Sequence, residues 1–134
     1  EAPGHSLYLH GLVSPEVLLS RIAEHDIGMA LEQYEPPSRN LTVTNKILHY
    51  LLGGLAVVAT DTAGQKEVAE RAGDAVRLCS VDAPDEMARA LRALLRSKQT
   101  LETSQEHALR ATREEFSWEQ QAPRLLESVD DALR

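Results

Sequence analysis

The chain has 134 residues, 43% of them hydrophobic, and a formal charge of −7. That is enough apolar sequence for one domain with its own core, which excludes a disordered chain. The acidic balance excludes a general nucleic-acid binder, whose footprint is basic, and no apolar run approaches the roughly 18–20 residues of a membrane span. The chain opens Glu1-Ala2-Pro3, with no basic stretch leading into an apolar one and no initiator Met, and reads as a piece of something longer. Cys79 is the single cysteine and lies in the apolar run AVRLCSV, so no intramolecular disulfide forms. A buried structural thiol in a soluble, cytoplasmic protein is the expectation.

In chain order, Ser6 to Val13 (SLYLHGLV) reads as a first strand. Ser14-Pro15-Glu16 opens a helix with a cap, a proline at the first helical position and an acid near the positive end of the dipole. Leu18, Leu19, Ile22 and Ala23 form its inner face. His25-Asp26 ends it, and Ile27–Leu31 is a second strand, in which Gly28 implies a close backbone neighbour. Glu32 to Val43 has no periodic pattern, and Pro36-Pro37 forbid a regular helix there. This loop leaves the carboxyl end of a strand, where open α/β sheets place their ligand crevice.

The segment from Thr44 to Asp61 organises the chain. Thr44 or Asn45 caps a helix, and Ile47, Leu48, Leu51 and Leu52 give it one apolar stripe. Gly53-Gly54 stops it, and Leu55–Ala59 (LAVVA) is an unbroken apolar strand of the kind covered on both faces. A helix Gln65–Ala72 closed by Gly73 follows, with Glu67 as a charge near its start. Then come a strand Ala75–Val81 and a helix with Met87, Leu91, Leu94 and Leu95 as its inner face. Interrupted helix runs through Ser97–Glu115. Ser117-Trp118-Glu119-Gln120 reads as a capping box before a last helix, which Pro123 should kink or delay. Its stripe of Ala122, Leu125, Leu126, Val129 and Leu133 has to pack on something. The sum is an α/β, Rossmann-like parallel sheet of about four strands with right-handed crossovers, flanked by helices and carrying a C-terminal helical extension.

Chemistry is sparser. There is no G-x-G-x-x-G, Walker loop, C-x-x-C pair or G-x-S-x-G elbow. The five histidines, His5, His10, His25, His49 and His107, show no i, i+4 pairing for zinc, so no metal site is expected. The helix start near Thr44 offers free amides and a partial positive charge, a ready site for phosphate. Lys46 in that first turn opposes the dipole, and an anion beside it would give it a purpose.

The order VSPEVLLSRIAEHDIGMAL, then NKILHYLLGGLAVVATD, then GQKEV and the late FSWE resembles the C-terminal part of family 4 glycosyltransferases, the retaining sugar-nucleotide enzymes of the GT-B fold. The resemblance spans nearly the whole chain and implies one Rossmann-like domain over residues 1–134, an incomplete C-terminal half of a two-domain enzyme. It implies a nucleotide-sugar donor as substrate, no cofactor, and a separate N-terminal domain for the acceptor. Any membrane contact would be peripheral and made through that domain. Val43, Thr44, Asn45 and Lys46 match the positions facing the diphosphate and sugar, and Gly64 lies in a loop, Thr62 to Gly64, that approaches the donor. Trp118 matches an anchor for the last helix, which in two-domain relatives crosses back to the other domain.

Two departures stand out. His49 occupies the position of the glutamate that holds the ribose, and Leu41 or its neighbour Asn40 that of the glutamate near the donor sugar. Imidazole still hydrogen-bonds a hydroxyl, whereas Leu41 cannot, so Asn40, Glu32 and Glu35 are the polar groups left near the sugar. The two β-α units that carry the leaving-group Arg and Lys in the family are also missing, so the chain alone is expected to be inactive and to self-associate through an exposed strand edge. The alternative expectation is a non-catalytic binding or assembly module that kept the fold.

Overall fold

The computed structural model describes residues 7–134. Its sheet has three parallel strands, β1 (Ile27–Ala30), β2 (Ala56–Thr60) and β3 (Val76–Cys79), in the order β1-β2-β3. Ile27 stands beside Ala56 and Ala30 beside Ala59, while Val57 stands beside Val76 and Thr60 beside Cys79. Every residue of β2 is buried, which is why Ala56–Ala59 is apolar with no alternation and why the buried Thr60 hydroxyl at its end is hydrogen-bonded.

Seven helices accompany the sheet among the described residues: α1 (Pro15–Ile22), α2 (Pro37–Leu41), α3 (Asn45–Leu52), α4 (Ala63–Ala72), α5 (Pro84–Leu94), α6 (Lys98–Ala111) and α7 (Trp118–Ala132). A 3-10 turn (Gly73–Ala75) precedes β3, and a π turn (Thr112–Phe116) links α6 to α7. On one face of the sheet, Ile47 and Leu51 of α3, Val68 and Ala72 of α4, and Ala108 and Ala111 of α6 pack on Ala30, Val57 and Ala59. On the other, Leu94, Met87 and Leu91 of α5 cover Ala56, Val58 and Cys79. Each fully buried Leu or Ile here contributes about 1.5–3 kcal/mol of transfer free energy.

The chain turns from α3 into β2 through Gly54, whose φ of +75° is left-handed. The Leu55 amide donates to the Tyr50 carbonyl there. Gly28 is indeed tightly approached, though not by backbone: a Cβ would lie 2.3 Å from Cγ of the Tyr50 ring.

Several expectations need correction. Of the first predicted strand, Ser6 lies outside the described residues and residues 7–13 form no regular structure. Leu7, Leu9 and Leu12 are 86%, 90% and 107% exposed, because no neighbouring strand supplies their ladder. The sheet therefore has three strands, not four, and Leu31 lies beyond the end of β1. Pro37 does start a short helix, since a proline at the first helical position forfeits an amide that has no helical partner anyway. Helix α1 buries none of its residues, and Leu95 of the predicted α5 face is exposed.

The capping box at Ser117 is not formed: its hydroxyl donates back to the Arg113 carbonyl. Ser97 caps instead, accepting from the Thr100 amide at 3.1 Å. Helix α7 runs through Pro123. That residue is exposed, so the carbonyl its missing amide leaves free faces water. The α7 stripe is left largely open: Leu125, Leu126 and Leu133 are more than half exposed, as is Trp118 at the start of the helix.

Candidate functional site

The site lies where the carboxyl ends of β1 and β2 meet the loop and helix that follow β1. Thr60, the last residue of β2, is 5% exposed and donates through Oγ1 to the Glu32 carbonyl at 2.7 Å. Gln65, fully buried in the first turn of α4, fixes that hydroxyl with Nε2 at 2.8 Å. The chain leaving β1 is thereby pinned to β2 and α4.

On this base stands the Glu32 side chain, 5% exposed as a residue. Its Oε1 accepts from Lys46 Nζ at 2.6 Å and from Thr44 Oγ1 at 3.2 Å. The Lys46 ammonium, with help from the Thr44 hydroxyl, holds the Glu32 carboxyl below the usual carboxylate range despite burial. Thr44 is the N-cap residue of α3 in extended conformation, but its hydroxyl serves Glu32, so the first-turn amides of α3 take no side-chain cap. They point out of the helix start beside an ammonium whose side chain is 57% exposed.

The expected residues divide into two groups. Thr44, Asn45 and Lys46 come together at the start of α3, Asn45 exposed. His49 follows one turn later on the same helix, half-buried. Val43 is turned inward and packs against the core with Leu48. Asn40 is engaged elsewhere: its Oδ1 accepts from the Ala63 amide at 2.9 Å, filling the first turn of α4. Gly64 is buried under the loop, where a Cβ would sit 2.4 Å from the Thr42 carbonyl oxygen, so the neighbouring backbone accounts for this glycine. Glu35 is exposed in the loop between β1 and α2.

A second polar cluster went unread in the sequence. The Tyr34 hydroxyl donates to Asp61 just past β2, and Lys66 Nζ lies 3.4 Å from Asp61 Oδ2. The Tyr34 hydrogen bond lowers the Asp61 pKa and raises that of the phenol. Beyond β3, Glu86 accepts from the Ser80 amide at 2.8 Å, which lowers its own pKa. Asp61 directly follows β2, at the same carboxyl end of the sheet to which the Glu32–Val43 loop pointed in the sequence. A cavity of about 260 Å³ opens beside it, lined by Leu31, Thr60, Cys79, Ser80 and Met87. Burial pushes the Cys79 thiol upward, consistent with a structural role.

A larger groove of about 680 Å³ runs away from this site along the free edge of β1, between Leu12, Ile22, Met29, Tyr50 and Leu55. Among the described residues no group of three or more His, Cys, Asp and Glu side chains comes together to hold a metal ion. None of their helices is long and apolar enough to cross a membrane.

Comparison with curated proteins and with solved structures returns no match. A family model does match: glycosyl transferases group 1, over residues 5–97. That stretch covers more than half of the chain and holds every strand, the loop after β1 and helices α1 to α5. The parallel sheet, the helix start at its carboxyl end and the matched span agree, and the chain belongs to the group 1 glycosyltransferases.

Proposed function

We propose that this chain is the donor-binding portion of a retaining, hexosyl-type glycosyltransferase, which moves a sugar from a nucleotide-diphosphate donor to a glycan, lipid or small-molecule acceptor in glycan biosynthesis. The observation that carries this reading is the start of α3: first-turn amides without a side-chain cap, flanked by a fixed ammonium, at the carboxyl end of a parallel strand. Backbone dipoles and Lys46 would meet the diphosphate there and stabilise its charge as the sugar–oxygen bond breaks. His49, one turn on, would reach the ribose. Glu35 in the open loop would take a sugar or ribose hydroxyl, while Asn40, Val43 and Gly64 shape the site from beneath. No cofactor is needed, because the donor carries its own leaving group. The acceptor would be held by a domain outside this chain, and the reaction would run in the cytoplasm, with the chain by itself inactive.

The test is a thermal-shift series of the full-length protein with UDP, GDP, ADP and dTDP. One of these should raise the melting temperature, as any ligand that binds only the folded state does, and Lys46→Ala should abolish the rise, read against that variant's own unliganded melt. A set of nucleotides that all leave the melt unmoved, or a Lys46→Ala protein that responds like wild type, would defeat the reading. One observation favours a second reading. The family's acidic pair is replaced by His49 and by a 71% exposed Leu41 or its neighbour Asn40, as expected of a binding or assembly module that no longer transfers sugar. A full-length wild-type protein that binds one of these nucleotides but transfers no sugar would favour that module.

A further inference from the structure

We infer that Glu32 is the positioning residue of the diphosphate site, acting through Lys46; this rests on the reading of Lys46 given above. A lysine in the first turn of a helix opposes the dipole, and its four-carbon stem is costly to order. Left alone, the Lys46 ammonium would wander in solvent. Glu32 removes that freedom. Its carboxylate stands on main chain fixed by Thr60 at 2.7 Å, and Thr60 is fixed in turn by Gln65 at 2.8 Å. All three residues are at most 5% exposed.

One oxygen of this rigid carboxylate receives both Lys46 Nζ and Thr44 Oγ1. An ammonium has three donors, and Glu32 accounts for one. The others remain on a side chain that is 57% exposed, beside the uncapped amides of α3. Burying a carboxylate is expensive, and a neutral contact would tie β1 to α3 at lower cost. The charge is accounted for if what it holds is the direction of Lys46.

Inorganic pyrophosphate serves as the probe, titrated calorimetrically into the full-length protein and its variants Glu32→Gln, Lys46→Ala and the double variant. Glu32→Gln should weaken binding about tenfold, the scale of one charge-assisted hydrogen bond. It should change nothing further once Lys46 is Ala, because a residue acting through another has no effect in its absence. Equal or tighter binding by Glu32→Gln would overturn the inference, the latter marking the carboxylate as a competitor for Lys46. An equal loss in both backgrounds would overturn it too, as a purely structural effect. If Glu32→Gln does not fold, Glu32→Asp, whose carboxylate is set back by one methylene, is compared in the same two backgrounds. Weaker binding with Lys46 present and no change without it supports the inference, and equal affinity defeats it. A Lys46→Ala protein that binds pyrophosphate like wild type defeats the reading of Lys46 itself. A weakened Lys46→Ala protein beside an unaffected Glu32→Gln protein defeats only the role of Glu32.

Discussion

Glu32 ties the stability of the fold to pH. Its folded-state pKa lies below the ordinary value of 4.5, chiefly through the hydrogen bond from Lys46. Asp61 lies below its own ordinary 3.8, chiefly through the hydrogen bond from Tyr34. A carboxylate whose pKa is depressed by folding contributes stability that is fully present above the unfolded value. That contribution is lost as pH falls through the folded one. Urea unfolding midpoints should therefore hold steady down to about pH 5 and decline below it. Glu32→Gln should remove part of that decline, since an amide does not titrate. Equal acid sensitivity in wild type and variant would show that the Lys46–Glu32 contact contributes nothing to the folded state. Tyr34 gives no such handle near neutrality, because its pKa is raised from 10.

At the scale of elements, the far end of the loop after β1 is anchored on the start of α4. Asn40 fills the first turn of α4 at Ala63, and the Thr42–Val43 backbone presses on Gly64 one residue later. The atoms facing Gly64 are main chain and cannot rotate aside, so Gly64→Ala should cost about 1–3 kcal/mol, read as a lower urea midpoint with unchanged slope. An unshifted midpoint would mean that the loop is free to lift from α4. These contacts also show which parts of the molecule were legible beforehand. The buried strand β2 and the helix before it announced themselves, because the run Leu55–Ala59 is apolar on both faces and α3 carries its own stripe and glycine stop. Lys46 drew notice by standing against the helix dipole. Its partner did not, because Glu32 reaches it only after the loop folds back, a closure no local pattern encodes. Ser97 and Ser117 show the same limit for caps. Both precede helices, but at Ser117 the π turn offers the Arg113 carbonyl to the hydroxyl first. Residues 7–13 are as apolar as a strand, but an apolar run becomes one only beside an edge that takes up its amides and carbonyls.

For the molecule as a whole, the matched family span and the core do not end together. The family model stops at residue 97, yet Ala108 and Ala111 of α6 complete the packing over β2, and the Gln105 side chain donates to the Asp26 carbonyl at 3.2 Å. Helix α6 is thus integral to the domain, whereas α7 adds no buried residue. Among the described residues, two stretches of apolar surface stand out: the groove along the free edge of β1, bordered by the exposed segment that carries Leu12, and the stripe on α7 with Trp118 at its start. Unpaired strand edges and contiguous apolar patches are the surfaces through which chains associate. The chain expressed by itself should accordingly self-associate, with a sedimentation coefficient that rises with concentration. Charged substitutions separate the two surfaces. Met29→Lys at the β1 edge should suppress association if the strand edge drives it, and Leu126→Lys should do so if the α7 stripe does. A sedimentation coefficient that stays monomeric at all concentrations would show that neither surface attracts a second copy strongly enough to be covered by it.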